Sequence, residues 1–186
     1  AVTLWRPVAS QIKDDYRVAN SLAAGYLERG DTRAAIAWFR RSLTLRPGFA
    51  RAAHNLAMAY VSEGRHQEAA RTLRALVARH PKHALGHNSL GLLSARRGRL
   101  REAQRHYRRA LKLNPNYATA KRNLALLRRP LAAARAFIAE HLPQVQTIAD
   151  PRLLQKLRQA CAALQDETCA RRVLARWQQL GLGGAP

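Results

Sequence analysis

The chain has 186 residues, 47% of them hydrophobic, with 33 Lys+Arg against 11 Asp+Glu and a formal net charge of +22. That apolar content supplies a buried core and excludes a wholly disordered chain, and no apolar run nears the roughly 20 residues that span a bilayer. The charge attracts acidic proteins, anionic membrane surfaces, acidic polymers or nucleic acid without choosing among them, and an arginine-rich proteome spelling its solvated faces this way gives the same composition.

Residues 1–15 read as an N-terminal extension or lead-in helix. The chain begins at Ala1 rather than at a methionine, which fits a processed protein or a piece of a longer one. From residue 16 a period of 34 sets in, and such periods are sought first because they decide the fold. Leu22, Leu56, Leu90 and Leu124 keep the step, followed by the small residues Ala23, Ala57, Gly91 and Ala125. Gly30, Gly64 and Gly98 recur likewise, as do Ala35, Ala69 and Ala103, the bulky Phe39, Leu73 and Tyr107, and Pro47, Pro81 and Pro115. Small residues let two helices approach closely, bulky ones fill the space between them, glycines allow a tight turn at positive φ, and prolines end each unit.

After the third unit a helix is expected over 118–128, retaining Leu124 and Ala125. Arg129-Pro130 is expected to break the pattern, leaving 131–142 as a shorter partner helix ended by Pro143. Pro151 opens a last helical pair that turns at Gln165-Asp166. Leu153, Leu154, Leu157 and Cys161 share one face of its first helix, and Ala170, Leu174 and Trp177 are expected to face back from the second.

These marks resemble the tetratricopeptide repeat, most closely over 16–49, 50–83 and 84–117. With helix 118–128 they give an array over 16–129, and 130–186 reads as degenerate C-terminal helical repeats and tail. The resemblance implies an all-α fold, a right-handed α-solenoid superhelix of antiparallel helix pairs. It also implies a protein–protein interaction scaffold rather than an enzyme. In this family the first helices line a concave groove that commonly takes peptides. Carried over, the groove residues are Arg17, Asn20, Ala24 and Leu27; Arg51, His54, Asn55, Met58 and Val61; Asn88, Leu92 and Ala95; and Arg122, Asn123 and Leu126. The mixture suits an extended acidic peptide, with amides for its backbone and arginines for its acids. The alternative is that Asn20, Asn55, Asn88 and Asn123 stabilise the interhelical surface. Some relatives clamp a C-terminal carboxylate with Lys, Asn and Arg. Asn55 fits one such place, but Leu85 and Ser89 stand where basic residues belong, so no binding to chaperone tails is expected.

Arg40, Arg74 and Arg108 at the 34 step, with Arg105 and Arg109, make a basic stripe on the second helices, read either as a solvated face or as a phosphate-binding surface. Nucleic acid ranks below a protein partner, because base stacking wants exposed aromatics and Tyr26, Phe39, Tyr60 and Tyr107 occupy core marks. An anionic membrane surface stays open as a partner.

Cys161 and Cys169 flank the last turn, close enough for a disulfide; two buried thiols are the alternative. A bridge implies a bacterial periplasm or a membrane-associated protein, its absence the cytoplasm. His80, His83 and His87 cluster without a cysteine or acid, so no metal is expected. No acid–base pair, phosphate loop or nucleophile motif appears, and no catalytic residue, cofactor or small-molecule substrate is indicated. Trp5, Trp38 and Trp177 read as packing residues. The resemblance thus points to a scaffold or adaptor, and by analogy with the family to a bacterial envelope or polymer-export complex. The alternatives are a recognition module of a larger enzyme such as a glycosyltransferase, and a basic domain binding an anionic polymer, membrane surface or nucleic acid.

Overall fold

Leu73 has no exposed surface, and neither has Phe39, 34 residues before it; full burial of such a side chain contributes about 1.5–3 kcal/mol. They sit in a computed structural model that describes residues 15–182, so the expected extension over 1–14 and the end of the tail lie outside the described residues. Every regular element among the described residues is a helix. The chain forms two compact units, Ala1–Leu90 and Gly91–Pro186.

The first unit contains α1 (Tyr16–Glu28), α2 (Thr32–Leu45), α3 (Ala50–Ser62), α4 (His66–Arg79) and the start of α5 (Ala84–Arg96). The Asp15 carboxylate caps α1 by accepting from the Arg17 amide (2.6 Å), and Asp31 caps α2 through the Ala34 amide (3.0 Å); each satisfies an N–H that the helix itself leaves without a partner. Between α1 and α2, and again between α3 and α4, the chain reverses through Gly30 (φ 79°) and Gly64 (φ 71°). Ala23, Ala35, Ala57 and Ala69 are fully buried where the paired helices approach. Ser42 is also fully buried, and its hydroxyl donates to the Tyr16 carbonyl (2.6 Å), fastening the end of α2 to the start of α1. The Tyr16 ring meets Phe49 edge-on at 4.9 Å, and the Arg46 guanidinium lies over that ring and bonds the Tyr16 hydroxyl. Tyr60 is buried as expected of a core mark, whereas Tyr26 is only half-buried.

The second unit takes the rest of α5, then α6 (Leu100–Leu113), α7 (Ala118–Leu126), α8 (Arg128–His141), a 3-10 turn over Leu142–Gln144, α9 (Pro151–Leu164) and α10 (Glu167–Gln179). Its core joins Ala103 and Tyr107 of α6 to Leu131 and Ile138 of α8, Leu154, Leu157 and Cys161 of α9, and Cys169 and Val173 of α10.

Two local expectations differ from this arrangement. Pro130 does not separate two helices but lies in the first turn of α8, where its missing N–H leaves no bond unmade. The interruption comes earlier, with α7 ending at Leu126, four residues before the proline, where the pyrrolidine ring would meet a helical carbonyl. Leu127 between them keeps right-handed helical angles (φ −76°, ψ −14°), so α7 passes into α8 without a hairpin, and α8 packs along α9. The partner helix is therefore as long as α2, α4 and α6, 14 residues, and the shortened helix is α7 with 9. On α10 Ala170 and Trp177 pack against the core as expected, beside the fully buried Cys169 and Val173, while Leu174 is 37% exposed. The cap explains this phase. Gln165 takes a left-handed conformation (φ 52°), and Asp166 accepts from the Cys169 amide (2.9 Å), setting the first turn of α10.

Candidate partner-binding surface

In the first unit the candidate residues lie on α1, α3 and the start of α5. Arg17 and Arg51 are exposed, Ala24, His54, Asn55 and Met58 are partly buried, and Asn20 and Asn88 are buried. Asn20 is 8% exposed, yet no described residue donates a hydrogen bond to its side-chain oxygen. A buried acceptor left unsatisfied costs about 1–3 kcal/mol, and here it sits on the helix series expected to receive a partner.

His54 ties α3 to α5, its Nε2 standing 3.1 Å from the Ser89 hydroxyl. Its ring also lies 6.4 Å from that of His83. Burial chiefly pulls the His54 pKa below 6.5, with His83 adding to the effect and a bond to the Asn55 side chain opposing it. His83 is lowered for the same first reason, helped by His80 and His87. Its Nδ1 accepts from the Gly86 amide (2.9 Å), so His83 caps α5 in the manner of an asparagine and must carry its proton on Nε2. His80 donates from Nε2 to the Gly48 carbonyl (2.8 Å), and His87 Nε2 donates to the Pro81 carbonyl (3.1 Å). The histidines that cluster in the sequence are thus engaged with backbone groups, and among the described residues no three His, Cys, Asp or Glu side chains gather as a metal ion requires. The capping role of His83 was missed in the sequence; its place directly before a helix start was the available signal.

In the second unit Leu92 and Asn123 are partly buried, and Arg122 is exposed. Of the basic stripe, Arg40 on α2 and Arg74 on α4 are exposed in the first unit, and Arg105, Arg108 and Arg109 on α6 are exposed in the second. Arg105 donates to the Gln165 side-chain oxygen (2.6 Å). Cys161 and Cys169 are joined as a disulfide, Cα to Cα 5.6 Å, and both are fully buried. Arg172 and Arg176 donate to the carbonyls of Leu142 and Ile148 (3.0 Å each) and hold the segment between α8 and α9.

Two tetratricopeptide-repeat models match the sequence, at residues 26–93 and 84–117. No curated protein matched it. Among solved structures, the first tetratricopeptide domain of Spaghetti (RPAP3) bound to the HSP90 peptide SRMEEVD is 23% identical, covering 63% of this chain and 94% of that one with a TM-score of 0.61. MamA is 14% identical over 97% of this chain and 89% of its own, TM-score 0.65. The Sgt2 domain from Aspergillus fumigatus is 22% identical over 65% and 82%, TM-score 0.61. At these identities the likeness is one of fold.

Proposed function

Because the chain belongs to the tetratricopeptide-repeat family, we propose that it is a protein-interaction scaffold whose first-helix surface holds an extended, acidic segment of a partner protein. The observation that carries this reading is the set of side chains on successive first helices, in which Arg17 of α1 and Arg51 of α3 are exposed and Asn55 and Met58 of α3 are half-buried. An extended backbone brings an N–H and a carbonyl at regular intervals, and the side-chain amide of Asn55 can meet either. Arg17 and Arg51 offer cations for carboxylates, and Met58 supplies an adaptable apolar contact. The peptide in the RPAP3 complex, SRMEEVD, is itself short and acidic. Here the place of a terminal-carboxylate clamp is taken by Leu85 and by Ser89, the latter engaged with His54, so the segment favoured is an internal one.

The test measures binding of acidic, extended peptides by fluorescence anisotropy against neutral peptides of the same length. Acidic peptides bind the parent chain preferentially, and Arg17→Gln, Asn55→Ala and Arg51→Gln each weaken binding several-fold with helicity unchanged. Equal binding of neutral peptides, or full binding by all three variants, removes the proposal.

A further inference from the structure

On α6 the residues Arg101, Arg105, Arg108 and Lys112 are all exposed. Their spacings of four, three and four residues confine them to about a 60° arc and string them along about 16 Å of helix. Arg109 stands beside this line, also exposed. The opposite side of α6 is occupied by Ala103, Tyr107 and Ala110, each 2% exposed or less. Like charges one turn apart repel, and nothing on the helix relieves them. Its one carboxylate, Glu102, is turned to Arg99 (3.6 Å) and His106 (3.9 Å). Among the described residues Arg101, Arg108, Arg109 and Lys112 have no hydrogen-bond or ion-pair partner, and Arg105 meets only the neutral Gln165. The nearby turn adds little negative charge to the stripe, since Asp166 caps α10 and Glu167 pairs with Arg171. Across the second unit, Gly91–Pro186, 19 Lys+Arg stand against five Asp+Glu.

We propose that this line of cations on α6 is a docking surface for an anionic phospholipid bilayer, separate from the partner-binding surface on the first helices. Three observations select a bilayer over other polyanions. The cations lie along the crest of one helix, a geometry that touches a plane along its length. The ring of Tyr107 is buried and no large exposed hydrophobic residue lies on α6, so the stripe has no platform on which nucleobases stack. The same unit carries the Cys161–Cys169 disulfide, which belongs to an oxidising compartment, where lipid headgroups rather than nucleic acids present dense phosphate. Guanidinium groups suit phosphate because they bind it through two parallel N–H donors. With no exposed large apolar side chain on α6 to insert, the contact is electrostatic and therefore salt-sensitive.

The experiment is vesicle sedimentation of the full chain. It compares phosphatidylcholine vesicles with vesicles containing roughly 30% phosphatidylglycerol, at about 50 and about 300 mM salt. The parent chain sediments only with the anionic vesicles, and the higher salt lowers its partition coefficient by about ten-fold or more. Changing Arg101, Arg105, Arg108 and Lys112 together to Gln lowers the low-salt partition by at least about a hundred-fold, at about five-fold per cation. The same four positions as Lys retain most of the binding. Four control changes, Arg129, Arg135, Arg152 and Lys156 to Gln, remove equal charge from other exposed sites and keep at least ten times the partition of the α6 variant. Circular dichroism establishes that each variant is folded. Equal loss in the two glutamine variants reduces the effect to net charge and overturns the proposal. So does absence of binding to anionic vesicles, or release from them by duplex DNA at matched phosphate concentration.

Discussion

A methyl group on residue 91 would stand 2.6 Å from Cε1 and 2.7 Å from Cδ1 of Tyr107, so the glycine of α5 is the space into which the tyrosine ring of α6 fits. The ring is 2% exposed, and burial pushes its hydroxyl pKa up to about 12. Gly91→Ala therefore lowers stability by about 1–3 kcal/mol through overpacking, read by urea denaturation. Adding Tyr107→Leu to it recovers part of that loss, since the smaller side chain yields the space. If the single variant matched the parent, the close approach would be wrong.

Gly64 and Gly48 make a matched pair for testing the turns. Neither has any atom within 4 Å of an added Cβ, but Gly64 has φ +71° and Gly48 lies outside that region. Gly64→Ala is expected to lower stability by about 1 kcal/mol, the left-handed penalty for an L-residue. Gly48→Ala is expected to be neutral or slightly stabilising, by up to about 1 kcal/mol, because only the unfolded chain loses freedom. In thermal melts Gly64→Ala falls below the parent and Gly48→Ala does not.

Acidification acts through His54 and His83. Both have pKa values below 6.5 in the folded chain, burial being the first cause in each. Between those lowered values and 6.5 the unfolded chain binds more protons than the folded one. The stability tied to their neutral forms is therefore complete above about 6.5 and declines as the pH falls through that window. Protonating His83 also turns Nδ1 from an acceptor into a donor facing the Gly86 amide. His83→Asn keeps a capping acceptor that does not titrate, so its melting temperature falls less than the parent's between pH 7.5 and 5.5. Parallel pH profiles would refute this role.

Reduction of Cys161–Cys169 loosens α9 from α10. Closing so short a loop contributes about 2–3 kcal/mol on chain-entropy grounds. Denaturation with and without reductant measures the difference. Thiol labelling of the unfolded chain finds no reactive cysteine before reduction and two after it, and two labels before reduction would exclude the bridge.

Legibility in the sequence followed how many neighbours a residue type has to satisfy. Ala23, Ala35, Ala57, Ala69 and Ala103 were readable as close contacts because nothing larger fits there, and the requirement returns every 34 residues. The outward place of Leu174 on α10 was not readable, because the exact phase depends on which residue before the helix turns left-handed, and that residue is Gln165 rather than a glycine. The break before Pro130 was placed too late for a related reason: a proline disturbs the carbonyl four residues back more than its own position. At the candidate surface, the sequence marked Asn20 as a polar residue on a first helix, but only the packing of neighbouring side chains reveals that its oxygen is buried and unsatisfied. Arg172 and Arg176 were hidden because their acceptors are main-chain carbonyls about 30 residues away, which leave no trace in residue type.

The direct passage from α7 into α8 limits where this protein can be lengthened. Modules of 34 residues can be duplicated anywhere upstream of Ala118 and still hand a folded-back pair to the next copy. At Leu127 the chain runs on from α7 into α8 without doubling back, and α8 folds against α9 instead. Variants that lengthen the protein by tandem insertion should therefore place the insertion before Ala118 and keep residues 118–182 in one piece.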